Sequence, residues 1–380
     1  MNESDFKGTL TGEIRWGAYG EYCYFHPYEL PFDWDCSPRI QNRINKAATE
    51  LARLDGILRY VGDDTVKMLT MNLSLMESTY SSSIEGTRST VDDIFRSEKE
   101  KETNDVRSQD NQEVVNYRKA LLKGFEQLPV GGKITIEMIK DLHRTLMEGV
   151  RGSNKSPGEF KEHQNAIGMM NDTLETAKMV PASSESVDFL MDNWLEYVNS
   201  ESVETVEKIA LAHYQFEVIH PFRDGNGRVG RLLIMMILRR DGLLTNPVLH
   251  LSGYLNSRRN TYMDLMYKVS SEDALDEWMD FISEGLHEQA KSTSNTIDSL
   301  LRYRDALRMS SDDINETRVV DMLFRNPYVT SGDLVDGLGI SAPTANRILN
   351  RMTDSGILRE VTGRKRNRMY RADGISEILR

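Results

Sequence analysis

The 380-residue sequence predicts a mainly helical protein with a little β structure at its start and a small helix-and-strand unit at its end. Three observations carry this expectation. From about Pro38 to about Asp298, apolar residues recur at the three-four spacing of buried helical faces. Met138, Ile139, Leu142 and Leu146 form one such face, and Val206, Ile209, Ala210 and Phe216 another. Arg228 to Arg240 is apolar almost all round, which marks a central helix enclosed by others and stopped at Gly242. A polar link around Met309 to Asp313 then leads into a separate series of short capped segments.

Taken in order, the chain up to about Pro38 is rich in Gly, Tyr, Trp and Phe without a helical period, and reads as short strands or an irregular wrap. Two non-helical stretches, Gly152 to Ser184 and Leu243 to Gly253, interrupt the helices that follow. No internal repeat or low-complexity tract is present. Apolar residues make up 39% of the chain and mean hydropathy is −0.50. The longest apolar run, Leu232 to Leu238, is far short of the roughly 20 residues of a membrane-spanning helix. The acidic start, Met1-Asn-Glu-Ser-Asp, lacks the basic-then-apolar order of a secretory signal. Cys23 and Cys36, even with His26, fall short of a structural zinc set and read as reduced thiols. A soluble, cytoplasmic protein without membrane contact is expected. The net charge of −12 excludes a molecule built as a whole to coat nucleic acid. The 19 methionines scatter through amphipathic segments, as adaptable core fillers do.

The chemistry concentrates in His220-Pro221-Phe222-Arg223-Asp224-Gly225-Asn226-Gly227-Arg228-Val229-Gly230-Arg231. A helix ends near Ile219, a glycine-flanked turn follows, and a new helix begins near Arg228. Gly225 and Gly227 permit left-handed backbone and let amides approach a ligand. The following helix N-terminus is an anion site, since unpaired N–H groups and the helix dipole both point at the ligand. Arg228 and Arg231 share one helix face and suit phosphate oxygens. Asp224 offers a hard oxygen for Mg²⁺, and His220 is the group here that takes a proton near neutral pH. Together these parts suit phosphoryl-type transfer to a hydroxyl.

The segment resembles the Fic family signature, His-Pro-Phe-x-Asp/Glu-Gly-Asn-Gly-Arg-x-x-Arg, with every specified position filled. The resemblance extends over about Ile57 to Leu286 and implies a Fic-type helical core with a small β-hairpin flap, over residues 109–300. It further implies a protein adenylyltransferase, which moves AMP from ATP onto a Tyr, Ser or Thr hydroxyl of a target protein. His220 would deprotonate that hydroxyl and Asp224 would hold Mg²⁺. Gly225, Asn226 and Gly227 would form the anion hole for the α-phosphate, Arg228 would stabilise departing pyrophosphate, and Arg231 would hold the γ-phosphate. Phe222 would anchor the loop, and His143 and His213 read as core histidines. Pro157 to Gly168 and Ala177 to Val180 look like the two limbs of the flap, which in the family pairs with the target as an added strand. Tyr254, Asn256 and Tyr262 sit where relatives contact adenine or ribose, with core packing an equal explanation for the tyrosines.

Upstream, Val66, Leu69, Leu73, Met76 and Tyr80 form a three-four stripe, a helix over about residues 65–86 within an N-terminal region ending near 108. It ends in Ser81-Ser-Ser-Ile84-Glu85-Gly86, which is similar to the Fic inhibitory motif, Ser/Thr-x-x-x-Glu-Gly/Asn. The resemblance implies that Glu85 pairs with Arg231 and denies ATP its γ-phosphate contact.

Over residues 313–380, Thr330 and Ser341 read as caps of two short helices, with Pro343 in the first turn of the second. Ala345, Ile348, Leu349 and Met352 face inward; Thr344, Asn346, Arg347, Asn350 and Arg351 face out. Two strands flank Gly363-Arg364-Lys365-Arg366-Asn367-Arg368. This resembles a winged helix-turn-helix with a basic wing suited to DNA phosphates, and the alternative use is protein contact or dimerisation. Self-modification and a homodimer are compatible with these readings. The competing functions are removal of AMP with Glu85 positioning water, transfer of another nucleotide, or a nucleotide-sensing DNA-binding regulator.

Overall fold

The computed structural model describes residues 1–17, 20–100, 106–168, 173–311 and 313–379. The centre of the expected flap at Met169 to Asp172, Asp312 of the expected link, and residues 101–105 ahead of the boundary near 108 lie outside them. The opening stretch forms a hairpin of β1 (Gly12–Trp16) and β2 (Cys23–Pro27), paired antiparallel from Gly12–Pro27 to Trp16–Cys23. Cys23 and Cys36 are free thiols.

Helices α1 (Pro38–Leu58), α2 (Asp63–Ile84), α3 (Val91–Ser97), α4 (Val106–Gln127) and α5 (Ile136–Leu146) follow. After the non-helical stretch come α6 (Val187–Asn199), α7 (Thr205–Ile219), α8 (Asn226–Arg240), α9 (Leu251–Ser257), α10 (Arg259–Glu272) and α11 (Leu275–Met309). Ser37 caps α1 and Pro38 occupies its first turn, where a missing N–H costs nothing. Its stripe of Ile40, Ile44, Ala47, Leu51, Leu54 and Leu58 packs along α11. Helix α11 runs on to Met309, beyond the expected end near Asp298. Ile297, Leu300 and Leu307 continue its buried face, too sparsely to stand out from polar sequence.

Helix α2 differs from its expected single stripe. It packs on α4 and α9, and every residue from Asn72 to Thr79 is buried, while Val66 and Tyr80 are only partly so. A serine-rich segment tolerates this because its hydroxyls turn back onto its own backbone. Ser78 donates to the Ser74 carbonyl at 2.6 Å, Thr79 to Leu75 at 2.8 Å and Ser83 to Thr79 at 2.8 Å. Helix α7 is buried from Lys208 to Ile219, and with α8 it forms the packed centre on which the site is built.

The expected flap hairpin is reduced, among the described residues, to one antiparallel bridge between Ile167 and Met179. The limbs bond to their surroundings instead. Phe25 of β2 donates its N–H to the Val180 carbonyl at 2.9 Å, and Ala182 donates to Val218 at 3.0 Å.

The C-terminal unit holds α12 (Ile314–Leu323), β3 (Tyr328–Thr330), α13 (Ser331–Leu338), α14 (Ala342–Asp354), β4 (Arg359–Glu360), β5 (Met369–Arg371) and α15 (Asp373–Ile378). Its sheet has the order β3-β5-β4. Thr330 and Asp333 make a reciprocal capping box, and Ser341 caps α14. Arg351, expected to face out, pairs with Asp313 and Glu316 of its own unit. The unit is clasped to α2 and α3. Asn72 donates to the Phe324 carbonyl at 2.7 Å, Asp92 accepts from Tyr328 at 2.7 Å and from Arg371 at 2.9 Å, and Lys99 pairs with Asp333 at 2.8 Å. No helix among the described residues is long and apolar enough to cross a membrane.

Candidate active site

Helix α7 ends in His220, which takes the left-handed conformation with φ of 51°. A residue other than glycine holds that geometry only where its surroundings enforce it. The imidazole Nδ1 lies 3.2 Å from the Glu217 carbonyl. A carbonyl only accepts, so Nδ1 carries the proton and Nε2 keeps a lone pair. Burial, then the nearby Lys161 charge, lower the imidazole to about 4, so it stands neutral and ready to take a proton at pH 7.

The loop after His220 is closed by Asn226. Its side chain accepts from Phe222 N–H and donates to the Phe222 carbonyl, each at 2.8 Å. One amide donor and the carbonyl of that side chain thus serve to close the loop. Phe222 is fully buried and stacks on His143 with ring centres 3.8 Å apart. His143 accepts from Gly158 N–H at 2.8 Å and donates to the Asp224 carbonyl at 2.9 Å. His213 bonds the Tyr262 hydroxyl at 2.7 Å. Both histidines are occupied in the core, as expected. Gly225 caps α8 with φ of 78° and makes no side-chain cap bond, so the first N–H groups of the helix lack helical partners. Asp224 accepts from Gly225 N–H at 2.7 Å and pairs with Lys155 at 3.0 Å.

Arg228 and Arg231 are both buried. Arg228 lies 3.8 Å from Glu113, and its Nε and Nη1 have no hydrogen-bond partner. Buried donors without a hydrogen bond are costly and suit a site that takes an anion. Arg231 donates Nε to the Ser81 hydroxyl at 2.9 Å, and Nη2 to the Ser81 carbonyl at 3.0 Å and to Glu85 at 2.7 Å. The end of α2 explains how Glu85 reaches it. Gly86, with φ of 96°, bonds back to Ser83 at 3.0 Å, and Thr87 to Ser82 at 3.2 Å, the paired bonds of a Schellman stop. The carboxylate lies so close over Gly227 that a β-carbon there would collide with it. Burial alone would raise the Glu85 carboxyl, but Arg231, helped by Arg228 and Arg259, holds it below its usual range.

Tyr254 and Tyr262, expected as nucleotide contacts, are each 1% exposed. Tyr254 packs against Gly285 and Phe281 beneath the Arg258 guanidinium, and Tyr262 bonds His213, so both are core residues. Asn256 is half-buried on α9. Three site neighbours escaped the sequence reading. Glu113 accepts from Thr87 at 2.6 Å and from Arg151 at 2.7 Å beside Arg228. Buried Lys161 lies beside His220, and Glu217 points an unpartnered oxygen into the protein. Only Glu217 left a signal, an acid in the largely apolar stretch from Ile209 to Ile219.

The fold and site define a helical protein with a glycine-flanked anion site at a buried helix start, joined to a winged helix-turn-helix. The Fic/DOC family model matches residues 133–238, the Fic/DOC N-terminal model residues 41–126, and a winged helix-turn-helix DNA-binding model residues 312–359. The chain belongs to the Fic/DOC family. It is similar to protein adenylyltransferase Fic of Drosophila erecta, 36% identical over 113 residues, 29% of this chain and 21% of that one. It is also similar to protein adenylyltransferase fic-1 of Caenorhabditis elegans, 28% identical over 188 residues, 48% of this chain and 31% of that one. The matched part thus spans about a third or less of these curated relatives. A Fic family protein from Desulfovibrio desulfuricans shares the fold with a TM-score of 0.59 at 20% identity, over 91% of this chain and 98% of that one. A fragment of C. elegans Fic-1 gives 0.53 at 17% identity, over 69% and 74%.

Proposed function

We propose that the protein transfers AMP from ATP to a hydroxyl of a target protein, and that Glu85 holds this activity in check. The observation that carries the reading is the Glu85 carboxylate lying against the start of α8 and paired with Arg231 at 2.7 Å. A built anion site is thus filled by the protein's own anion. The Glu85 side chain is 40% exposed while that of Arg231 is 2% exposed, so the carboxylate is the partner free to leave.

In the reaction, His220 Nε2 takes the proton from the target hydroxyl. The hydroxyl oxygen bonds to the α-phosphorus, the bond to the bridging oxygen breaks, and pyrophosphate leaves. The amides at the start of α8 and Arg228 meet charge on the phosphates, a role that orients and stabilises without chemistry of its own. Arg231, released from Glu85, takes the γ-phosphate. Asp224 fits a cation, because its carboxylate already pairs with the Lys155 ammonium. No group of three ligating side chains exists among the described residues, so Mg²⁺ at Asp224 would complete its shell with phosphate oxygens and water. Bound there, it would neutralise phosphate charge. The segment 157–180 presents the target beside His220, the exposed wing Arg364–Arg368 contacts DNA phosphates, and the site acts in the cytoplasm.

Intact-mass measurement of the Glu85→Gly protein after incubation with ATP and Mg²⁺ tests this. A gain of one AMP, absent without Mg²⁺, is expected. An unmodified protein, with bound ATP demonstrated, would overturn the transfer reading.

A further inference from the structure

The carbonyls of four consecutive residues around the proposed base, 219 to 222, are all held by the first limb of the neighbouring segment. Lys161 donates its Nζ to the Ile219 carbonyl at 3.1 Å and its backbone N–H to the Pro221 carbonyl at 2.7 Å. Asn165 donates its amide to the Phe222 carbonyl at 2.9 Å and to the His220 carbonyl at 3.4 Å. Lys161 Nζ also bonds the Asn165 side-chain oxygen and the Ala182 carbonyl, each at 2.8 Å. Ala182 lies two residues beyond the return limb, so a single ammonium joins the outgoing limb, the chain that continues from the return limb and the end of α7. Further out, among the described residues, the limbs meet at the lone Ile167–Met179 bridge.

Lys161 is 3% exposed, and its ammonium has neutral acceptors rather than a carboxylate. Burial pushes it down to about 7. Burying a lone charge is expensive, and a well-bonded one persists where its acceptors converge. We propose that Lys161 is a positioning residue for AMP transfer, which clamps the outgoing limb of the target-presenting segment, and the chain that continues from its return limb, to the residue before His220 and thereby sets the hydroxyl against the imidazole. The inference rests on the transfer reading above. Its sensitivity follows from the chemistry, since misplacing a reacting atom by about 1 Å costs on the order of 100-fold in rate. The ammonium also lies close enough to His220 to disfavour imidazolium, which keeps the base in its working form.

The test uses the full chain carrying Glu85→Gly, with ATP and Mg²⁺ and self-modification as the probe. Lys161→Met keeps the stem and removes the donors, while Lys161→Arg keeps a charge that reaches carbonyls. We expect Lys161→Met to lower the saturating rate by about 100-fold. The half-saturating ATP concentration should stay unchanged, since the phosphate-binding groups are untouched, and Lys161→Arg should recover most of the rate. In the same proteins, amide hydrogen exchange at Ile167 and Met179 should speed up in Lys161→Met while the amides of α8 stay protected. A parental rate in Lys161→Met, an equal loss in ATP affinity, or an Arg variant as slow as the Met variant would overturn the clamp. Should Lys161→Met not fold, Lys161→Gln takes its place with the same readouts. The exchange measurement needs no catalysis. Unmodified Glu85→Gly protein would therefore sink the transfer reading, while unchanged exchange would sink the clamp.

Discussion

His220 combines an awkward backbone with a neutral ring, and both suit a base that receives one proton in each turnover. Replacing it with Ala should lower AMP transfer by about 10² to 10⁴ while ATP binding persists, which labelled-nucleotide transfer and calorimetry would check. The buried titratable groups also predict a pH dependence of stability. Burial lowers His143, His220 and His250 to about 4 and His213 to about 3, against 6.5 for the free side chain. Between those values the unfolded chain binds protons that the folded one refuses. Stability is therefore retained above about 6.5 and lost as pH falls toward 4. Glu217 acts at the other end. Burial raises it to about 8 from 4.5, so it costs stability increasingly as pH rises through that window. Glu217→Gln should raise Tm more at pH 8 than at pH 5. An equal effect at both would show that Glu217 is ionised in the fold.

At the level of elements, the end of α2 aims Glu85 at Arg231, and that aim depends on one glycine. Glu85→Gly should speed AMP transfer, Glu85→Asp should act partway because its carboxylate reaches Arg231 poorly, and adding Arg231→Ala should cancel most of the gain. A double variant as active as the single one would separate Glu85 from Arg231. Gly86→Ala offers a subtler probe. No atom lies within 4 Å of the added carbon, so the substitution acts through φ of 96° alone. The strain should cost on the order of 1 kcal/mol, displace the Schellman stop and partly release the brake, read as transfer above wild type but below Glu85→Gly.

Across the whole molecule, the C-terminal unit is clasped by α3, which begins at Val91, shortly after Glu85. Its wing, by contrast, is exposed from Gly363 to Arg368. Changing Arg364, Lys365 and Arg366 to Ala should weaken DNA binding and lower its log–log salt slope by about 0.9 for each phosphate no longer neutralised, with AMP transfer retained. Wild-type protein that shows no salt-sensitive DNA binding would point to protein contact instead.

The sequence by itself determined the helical class, the loop feeding α8, the helix stop at Gly86, and the caps of α13 and α14. Each is written in neighbouring residues, because helical period, cap chemistry and glycine stops act over a few positions. Only the tertiary structure decided what depends on which segments meet. It buried α2 on nearly every side, placed Tyr254 and Tyr262 in the core, turned the Asn226 side chain onto its own loop, and left one bridge between the flap limbs among the described residues. It also brought Lys161, Glu113 and Glu217 to the site, although Lys161 and Glu113, each in a polar stretch, look like any solvated charge. Their roles come from burial and from acceptors distant in the chain, such as Ala182 and Ile219 for Lys161. Spacing along a chain records the local period, whereas desolvation and convergence of acceptors exist only once the segments have packed.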